Sequence, residues 1–423
     1  MTAIDVRAGF DAGAVGAAVS AALRTIDVNL SVLGDRYPGD TTVEERYRLR
    51  PAAAGQPVGS NVGWTASFWP GMLWLAYDLT GEERYLTAAT GHIADFAERI
   101  DRRIDIETHD LGFLYILSCV VGFRRTGEKQ ARQAALTAAD RLMDRVLEPA
   151  GIIQAWGDLS NPAQRGRTII DSLMNTPLLF WASRESGDGR YADAARRHIA
   201  QLRDHILRPD GTTYHTFYWD PVTGEPLRGE TEQGHADDSC WARGQAWGIY
   251  GFTLNHRHTG DPTLLTAARR CADHFLASLP DDHVPYWDLA LTDEERDSSA
   301  AAIAVCGLLE LADALDGTEA GGGGNGSGGN GSGEAGGGGN GSGEAGGGGN
   351  GSGDHYRTAA GRILASLISG YATAGQPRFD ALLRHGVYDK PKNVGVDEGT
   401  LWGDYFYLEA LTRVTRPEWN HPW

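Results

Sequence analysis

Apolar residues in this chain fall into long blocks, each closed by a short polar-glycine stop. Residues 66–79 are apolar on almost every face, stop at Thr80-Gly81, and are followed at 85–100 by a block with a one-sided apolar stripe. The plan recurs at 111–125, Thr126-Gly127 and 131–147, then at 173–185, Ser186-Gly187 and 191–207, then at 245–258, Thr259-Gly260 and 264–279. A fifth copy opens at 298–315 and resumes at His355, while blocks at 10–33 and 401–414 complete the set. Block length and the 3.6-residue period predict helices, and the alternation of strands is nearly absent. A helix apolar all round is buried on both sides, whereas one with a single stripe lies on the outside. Alternating inner and outer helices in six hairpins predict an all-α fold, an (α/α)6 barrel in which each hairpin buries its neighbour and the last closes on the first. An open solenoid would satisfy the same repeat, but it has no reason to put polar signatures at the same end of every inner helix.

Those signatures are Trp64-Thr65-Ala66-Ser67-Phe68-Trp69, His109-Asp110-Leu111-Gly112-Phe113, Asp171-Ser172-Leu173-Met174-Asn175, the run from Trp241 to Trp247, and Trp402-Gly403-Asp404-Tyr405-Phe406. Parallel inner helices gather their N-termini at one mouth, where free backbone N–H groups and helix dipoles favour anions. Asp110 and Asp171 open successive inner helices. Each alone reads equally well as an N-cap, but His109 beside one and Asn175 one turn after the other, with Trp64 and Trp156 as further candidates, make a pair. Two coupled carboxyls split their pKa values, so one stays protonated as a general acid while the other is ionised. Arg243 and Trp247 stand i, i+4, where guanidinium and indole can stack. Arg243 can anchor a substrate carboxylate or pair internally with Asp237 or Asp238. Many of the 12 tryptophans fit platforms for sugar rings, with Trp74 and Trp181 as core. His109 and His215 are candidates to bind hydroxyls, or else packed histidines.

Composition narrows the classes further. The net charge of -18 argues against nucleic acid and anionic membranes, which need clustered cations. No leader-like start and no uncharged apolar run of about 20 residues is present, so a soluble cytoplasmic protein, monomeric or weakly homo-oligomeric, is expected. Cys119, Cys240, Cys271 and Cys306 lack paired spacing and read as buried reduced thiols. Without His-x-x-x-His, Cys-x-x-Cys or a phosphate-cradling glycine motif, neither a metal nor another cofactor is expected. The one break in composition, about 317–353, is glycine-rich with no apolar residue larger than alanine. It reads as a flexible insertion in the fifth hairpin turn of a single catalytic domain spanning 1–423.

The motifs together resemble glycoside hydrolase family 88, the unsaturated glucuronyl hydrolases. The likeness rests on Trp69-Pro70-Gly71-Met72-Leu73-Trp74-Leu75-Ala76-Tyr77, the His109 and Asp171 clusters, Gln233-Gly234, Trp241-Ala242-Arg243-Gly244-Gln245-Ala246-Trp247, and Gly395-Val396-Asp397-Glu398 leading into Trp402. It implies an (α/α)6 barrel that removes a 4,5-unsaturated uronic acid from the non-reducing end of lyase-generated oligosaccharides. In that chemistry an acid protonates C4 of the vinyl ether, water adds at C5, and the hemiketal opens. The resemblance makes Asp171 the general acid/base and Asp110 the partner carboxylate. Trp64, His109, Trp156, His215, Gln233, Trp241, Arg243 and Trp247 become the substrate contacts. Members preferring sulfated glycosaminoglycan pieces carry a loop with serines and lysine before Gly-Val-Asp-Glu. Here Tyr388-Asp389-Lys390-Pro391-Lys392-Asn393-Val394 has no serine, which counts against a sulfate pocket and leaves Lys390 or Lys392 for an acidic subsite. The alternatives are the related unsaturated rhamnogalacturonyl hydrolases, a sugar epimerase working through His109 and His215, and a carbohydrate-binding toroid without turnover.

Overall fold

The structure is a computed structural model that describes residues 6, 7, 9–322 and 352–423. Most of the expected insertion therefore lies outside the described residues. The helices are α1 (Ala12–Leu33), α2 (Phe68–Thr80), α3 (Glu83–Asp101), α4 (Leu111–Tyr115), α5 (Val121–Thr126), α6 (Lys129–Met143), α7 (Pro177–Ser186), α8 (Gly189–Gln201), α9 (Ala242–Thr259), α10 (Pro262–Ala277), α11 (Ser298–Gly322), α12 (Ser352–Ser366) and α13 (Leu401–Thr415).

Hairpin turns are made at the predicted stops. Gly81, at φ 71°, takes the left-handed conformation that ends α2, and its N–H bonds back to Tyr77 O; Gly127, Gly187 and Gly260 repeat the device. Such a residue satisfies a carbonyl that the helix end leaves free, at no steric cost to glycine. Every residue of α13 is buried, as are Ala242 to Asn255 of α9. The second helices bury one stripe, as in α6, where Ala131, Ala134, Ala135, Ala138, Ala139 and Leu142 are covered. The apolar helices touch in order: α2 meets the π-helical turn Ile116–Val120 that joins α4 to α5, α4 meets α7, α7 meets α9, α9 meets α11, and α11 meets α13. Helix α13 then packs on α2, where the series began.

Two expectations are corrected. Strands are present: β1 (Pro38–Val43) pairs with β2 (Arg46–Leu49), β3 (Val146–Leu147) with β4 (Ile152–Ile153), and β5 (Arg167–Ile169), β6 (Thr216–Trp219) and β7 (Pro226–Glu230) form a three-stranded sheet. A last pair joins β8 (Gly386–Asp389) to β9 (Val394–Glu398). All are antiparallel. At two to six residues they are too short to print an alternating pattern. The third inner helix is also broken. A 3-10 turn over Ile170–Met174 precedes α7, which starts on Pro177; proline has no N–H to give to the preceding turn and suits the first helical position, where none is needed. Among the described residues two helices, α1 and residues 298–317 of α11, have the length and hydropathy to cross a membrane, the latter with 89% of its window buried inside the fold.

Candidate active site

Two elements of different origin bring the carboxyls together. Asp110 ends the loop before α4, while Asp171 rides the 3-10 turn between β5 and α7. Asn175 ties them: its Oδ1 accepts from Phe113 N at 2.9 Å, and its own chain lies so close to α4 that a Cβ on Gly112 would sit 2.2 Å from Asn175 Cα. Only glycine allows that approach. Ile170 N, bonded to His215 O at 3.1 Å, holds the turn to β6. Neither carboxyl caps its helix: Asp110 makes no side-chain capping bond, and α7 is preceded by Thr176. Removing the capping explanation leaves both carboxyls free for chemistry.

His109 stands between them, its Nε2 3.4 Å from Asp110 Oδ1 and 3.5 Å from Asp171 Oδ1. Its Nδ1 meets Ser172 Oγ at 3.1 Å. Thr108 Oγ1 donates to Asp110 Oδ2 at 2.7 Å, whereas Asp171 Oδ1 is buried with no hydrogen-bond partner among the described residues. Burial, reinforced by the charge of Asp110 and opposed by Arg243, holds the Asp171 carboxyl well above the usual carboxylate range. Burial likewise lowers the pKa of His109, so its imidazole is neutral at pH 7. The site therefore sets a carboxyl of raised pKa beside a second carboxyl, each about 15% exposed at the side chain. Donor atoms of His109, Asp110 and Asp171 all lie within 4.8 Å of one another, near enough for a small cation; carboxyls that share a proton meet the same distance.

Around this centre the remaining candidates divide. Trp64 is partly exposed, donates from Nε1 to Tyr388 Oη at 3.0 Å, and lies 5.3 Å from the Trp402 ring. Gln233 Nε2 donates to Tyr388 O at 3.2 Å. His215 Nδ1 accepts from Glu232 N at 2.9 Å, and its ring sits edge-on to Trp241 at 4.7 Å. Burial, aided by Arg243 and Lys392, pushes its pKa down to about 3, so it too is neutral. Trp156, partly exposed, lies 5.4 Å under Arg167.

Arg243 and Trp247 are placed differently from expectation. The Arg243 guanidinium is 1% exposed and stacks between Trp241 at 4.3 Å and Trp402 at 5.0 Å, not on Trp247. It donates to Val387 O and to Tyr388 O, and pairs with Asp297 at 3.4 Å rather than with Asp237 or Asp238. It thus braces β8 from below. Trp247 is also 1% exposed, packed 5.4 Å from Phe113 and 5.2 Å from Phe406, with no face left for a sugar. As the sixth residue of α9, it lies about 7.5 Å along the helix from its start, in the aromatic core.

Sequence reasoning passed over Tyr388, Thr108, Ser172 and Asp297. Tyr388 borders the mouth through Trp64 and Gln233, and its hydroxyl is pushed up to about 12 by burial and by Asp40 and Asp110. Its one signal was its place at the start of the serine-free loop. That loop's lysines are engaged: Lys390 with Glu295, and Lys392 with Asp389 at 2.8 Å. A separate cavity of about 390 Å³, lined by Trp74, Arg124, Tyr405 and Trp419 among others, contains none of the site residues.

A mostly helical protein in which a carboxyl of raised pKa stands beside a second carboxyl and a neutral histidine fits the class of carbohydrate hydrolases that work by proton donation. Residues 45–316 match glycosyl hydrolase family 88. This chain belongs to that family and is an enzyme, a glycoside hydrolase. It is 39% identical over 412 residues to the unsaturated chondroitin disaccharide hydrolase of Streptococcus pneumoniae, covering 97% of this chain and 93% of the relative. The crystal structure of the unsaturated glucuronyl hydrolase of Bacillus sp. GL1, responsible for the degradation of glycosaminoglycan, is similar at TM-score 0.84 and 39% identity, over 97% of this chain and 99% of that one. A mutant of the Streptococcus agalactiae unsaturated glucuronyl hydrolase, complexed with dGlcA-GalNAc6S, is similar at TM-score 0.77 and 36% identity, over 97% and 93% of the two chains.

Proposed function

We propose that this chain is an unsaturated glucuronyl hydrolase built as a single (α/α)6 toroid, with Asp171 as general acid/base and Asp110 as partner carboxylate. The observation that carries the reading is the Asp171 carboxyl, whose buried Oδ1 has no hydrogen-bond partner among the described residues and whose pKa is raised beside Asp110. A vinyl ether carbon is a weak base, so its protonation needs a carboxyl that is still neutral at working pH. Asp171 gives its proton to C4, the C4=C5 electron pair forms the new C–H bond, and positive charge shared by C5 and the ring oxygen is held near the carboxyls. Water then adds at C5 and loses a proton to the Asp171 carboxylate, which restores the acid. The hemiketal opens and releases the rest of the saccharide.

Trp64, Trp156, His215, Gln233 and Tyr388 border the approach to this pair, and Trp241 and Arg243 support them from beneath. The test is the fall in ultraviolet absorbance when the protein is mixed with a panel of lyase-derived unsaturated disaccharides. Turnover of glucuronyl substrates that drops by about 10²-fold or more in Asp171→Asn is the expected result; no turnover on any member refutes the reading. Retained turnover in Asp171→Asn would remove Asp171 as the acid.

The same reading extends to sulfation. Lys390 and Lys392 are neutralised by Glu295 and Asp389, so no free cation of this loop waits for a sulfate. Unsulfated disaccharides are expected to give the higher kcat/KM, and a sulfated one preferred over its unsulfated counterpart would reverse this.

A further inference from the structure

We propose that Ser172 is a positioning residue that sets the tautomer of His109 and thereby keeps the proton of the carboxyl pair on Asp171. The inference rests on the hydrolase reading for its consequence, but not for its geometry. Ser172 Oγ has one proton, and Ile169 O, 2.5 Å away, can only accept it. The same Oγ must then be the acceptor in its 3.1 Å contact with His109 Nδ1, so Nδ1 carries the imidazole proton. In a neutral ring Nε2 is left as a bare lone pair.

That lone pair faces Asp110 Oδ1 at 3.4 Å and Asp171 Oδ1 at 3.5 Å. Three electron-rich atoms converge, and a proton on one of the carboxyls relieves their repulsion. Asp110 already accepts from Thr108 through Oδ2. Asp171 Oδ1 has no donor among the described residues, so the proton belongs there, beside Nε2. The other charged or titratable groups facing the trio are Arg145 and His198 on the His109 side, Arg243 towards Asp171, and Tyr388 towards Asp110. None of them bonds to Asp171 Oδ1. The opposite tautomer would give the pair an N–H donor, stabilise both carboxyls as anions, and remove the acid near neutral pH. Ser172 thus acts on the reaction two bonds away, through the ring of His109.

Protein labelled with 15N-histidine reports the tautomer directly, with the His109 signals assigned by their loss in His109→Gln. At pH 7 Nδ1 is expected at a protonated, pyrrole-like shift and Nε2 at an unprotonated, pyridine-like shift; the reverse pattern, or an imidazolium, overturns the proposal. This measurement needs no turnover, so it stands even if no unsaturated disaccharide is consumed, an outcome that would refute only the hydrolase reading. In Ser172→Ala the ring is free to place its proton on Nε2. The alkaline limb of the kcat profile should then move down by about one pH unit, with KM changed less than about threefold, and Ser172→Thr should restore the limb. A limb that stays in place in Ser172→Ala while kcat falls marks a merely structural serine and overturns the proposal.

Discussion

An acid that must protonate carbon works only while it holds its proton, and the environment of Asp171 decides the direction of its pH dependence. Burial and the charge of Asp110 raise its pKa, so kcat should fall as pH rises through that raised value, an alkaline limb that Asp110→Asn moves to lower pH by removing the neighbouring charge. The same shift has a thermodynamic cost. Between the ordinary carboxylate range and the raised value the folded state binds more protons than the unfolded chain, so stability falls with rising pH. Asp171→Asn should therefore unfold at a higher temperature than the wild type at pH 7 to 8 while losing turnover, which calorimetry and the absorbance assay check together. If the 4.8 Å cluster of His109, Asp110 and Asp171 serves proton sharing, EDTA leaves activity intact; a loss restored by a divalent cation would make it a metal centre.

At the scale of the element, the site depends on how tightly α4 meets the 3-10 turn. Gly112→Ala would drive a Cβ into the Asn175 backbone, and neither side can yield without moving Asp110 or Asp171. A loss of about 1–3 kcal/mol in denaturant unfolding, together with a fall in kcat, is expected; a variant with wild-type kcat would show that the approach is not needed. The two carboxyls stood out in the sequence because His109-Asp110 and Asp171 with Asn175 are polar clusters at the head of apolar blocks, although Asp171 lies on a 3-10 turn before α7 and not on the helix itself. The role of Arg243 did not stand out. Its acceptors are the carbonyls of Val387 and Tyr388, 144 and 145 positions away, and backbone oxygens leave no mark on side-chain pattern. The 3-10 turn carrying Asp171 was hidden likewise inside an otherwise helical apolar block.

Across the molecule, buried polar groups hold the ends of the fold. Asp404, the member of the Trp402 cluster that the sequence left without a role, accepts from Leu382 N at 2.9 Å, Leu383 N at 3.0 Å and Tyr47 Oη at 2.9 Å. It fastens α13 to the segment leading into β8 and to β2. Burial raises its pKa from 3.8 to about 7, so its contribution to stability declines as pH rises across that window. Asp404→Asn should flatten the change in Tm between pH 5 and 7, and an unchanged slope would assign the dependence elsewhere. Near the other ends of the inner helices, Glu310 pairs with Arg413 at 2.9 Å and His421 at 3.0 Å, and Trp423 Nε1 donates to Glu409 at 2.9 Å. Helices α11 and α12 pack directly and are joined by Arg357 to Asp316 at 2.6 Å. Replacing residues 323–351 by a short loop should thus leave Tm and turnover unchanged, because closing the shorter loop alters the entropy only logarithmically. A large loss would show that those residues matter to the fold.

Periodicity alone determined the helices, their inner or outer character and their hairpin stops, since burial on one face or on all faces must be written into the side chains that meet the core. It also marked Asp110, His109 and Asp171, because they are polar residues at the head of otherwise apolar blocks. Tertiary structure decided the rest: that Trp247 is packing, that Arg243 braces β8, that Asp404 ties α13 to distant loops, and that His109 stands between two carboxyls with Ser172 behind it. Those facts depend on backbone atoms and distances between segments 60 or more residues apart in several cases, as with Ser172 and His109 at a separation of 63. No local pattern records what only close packing brings into contact.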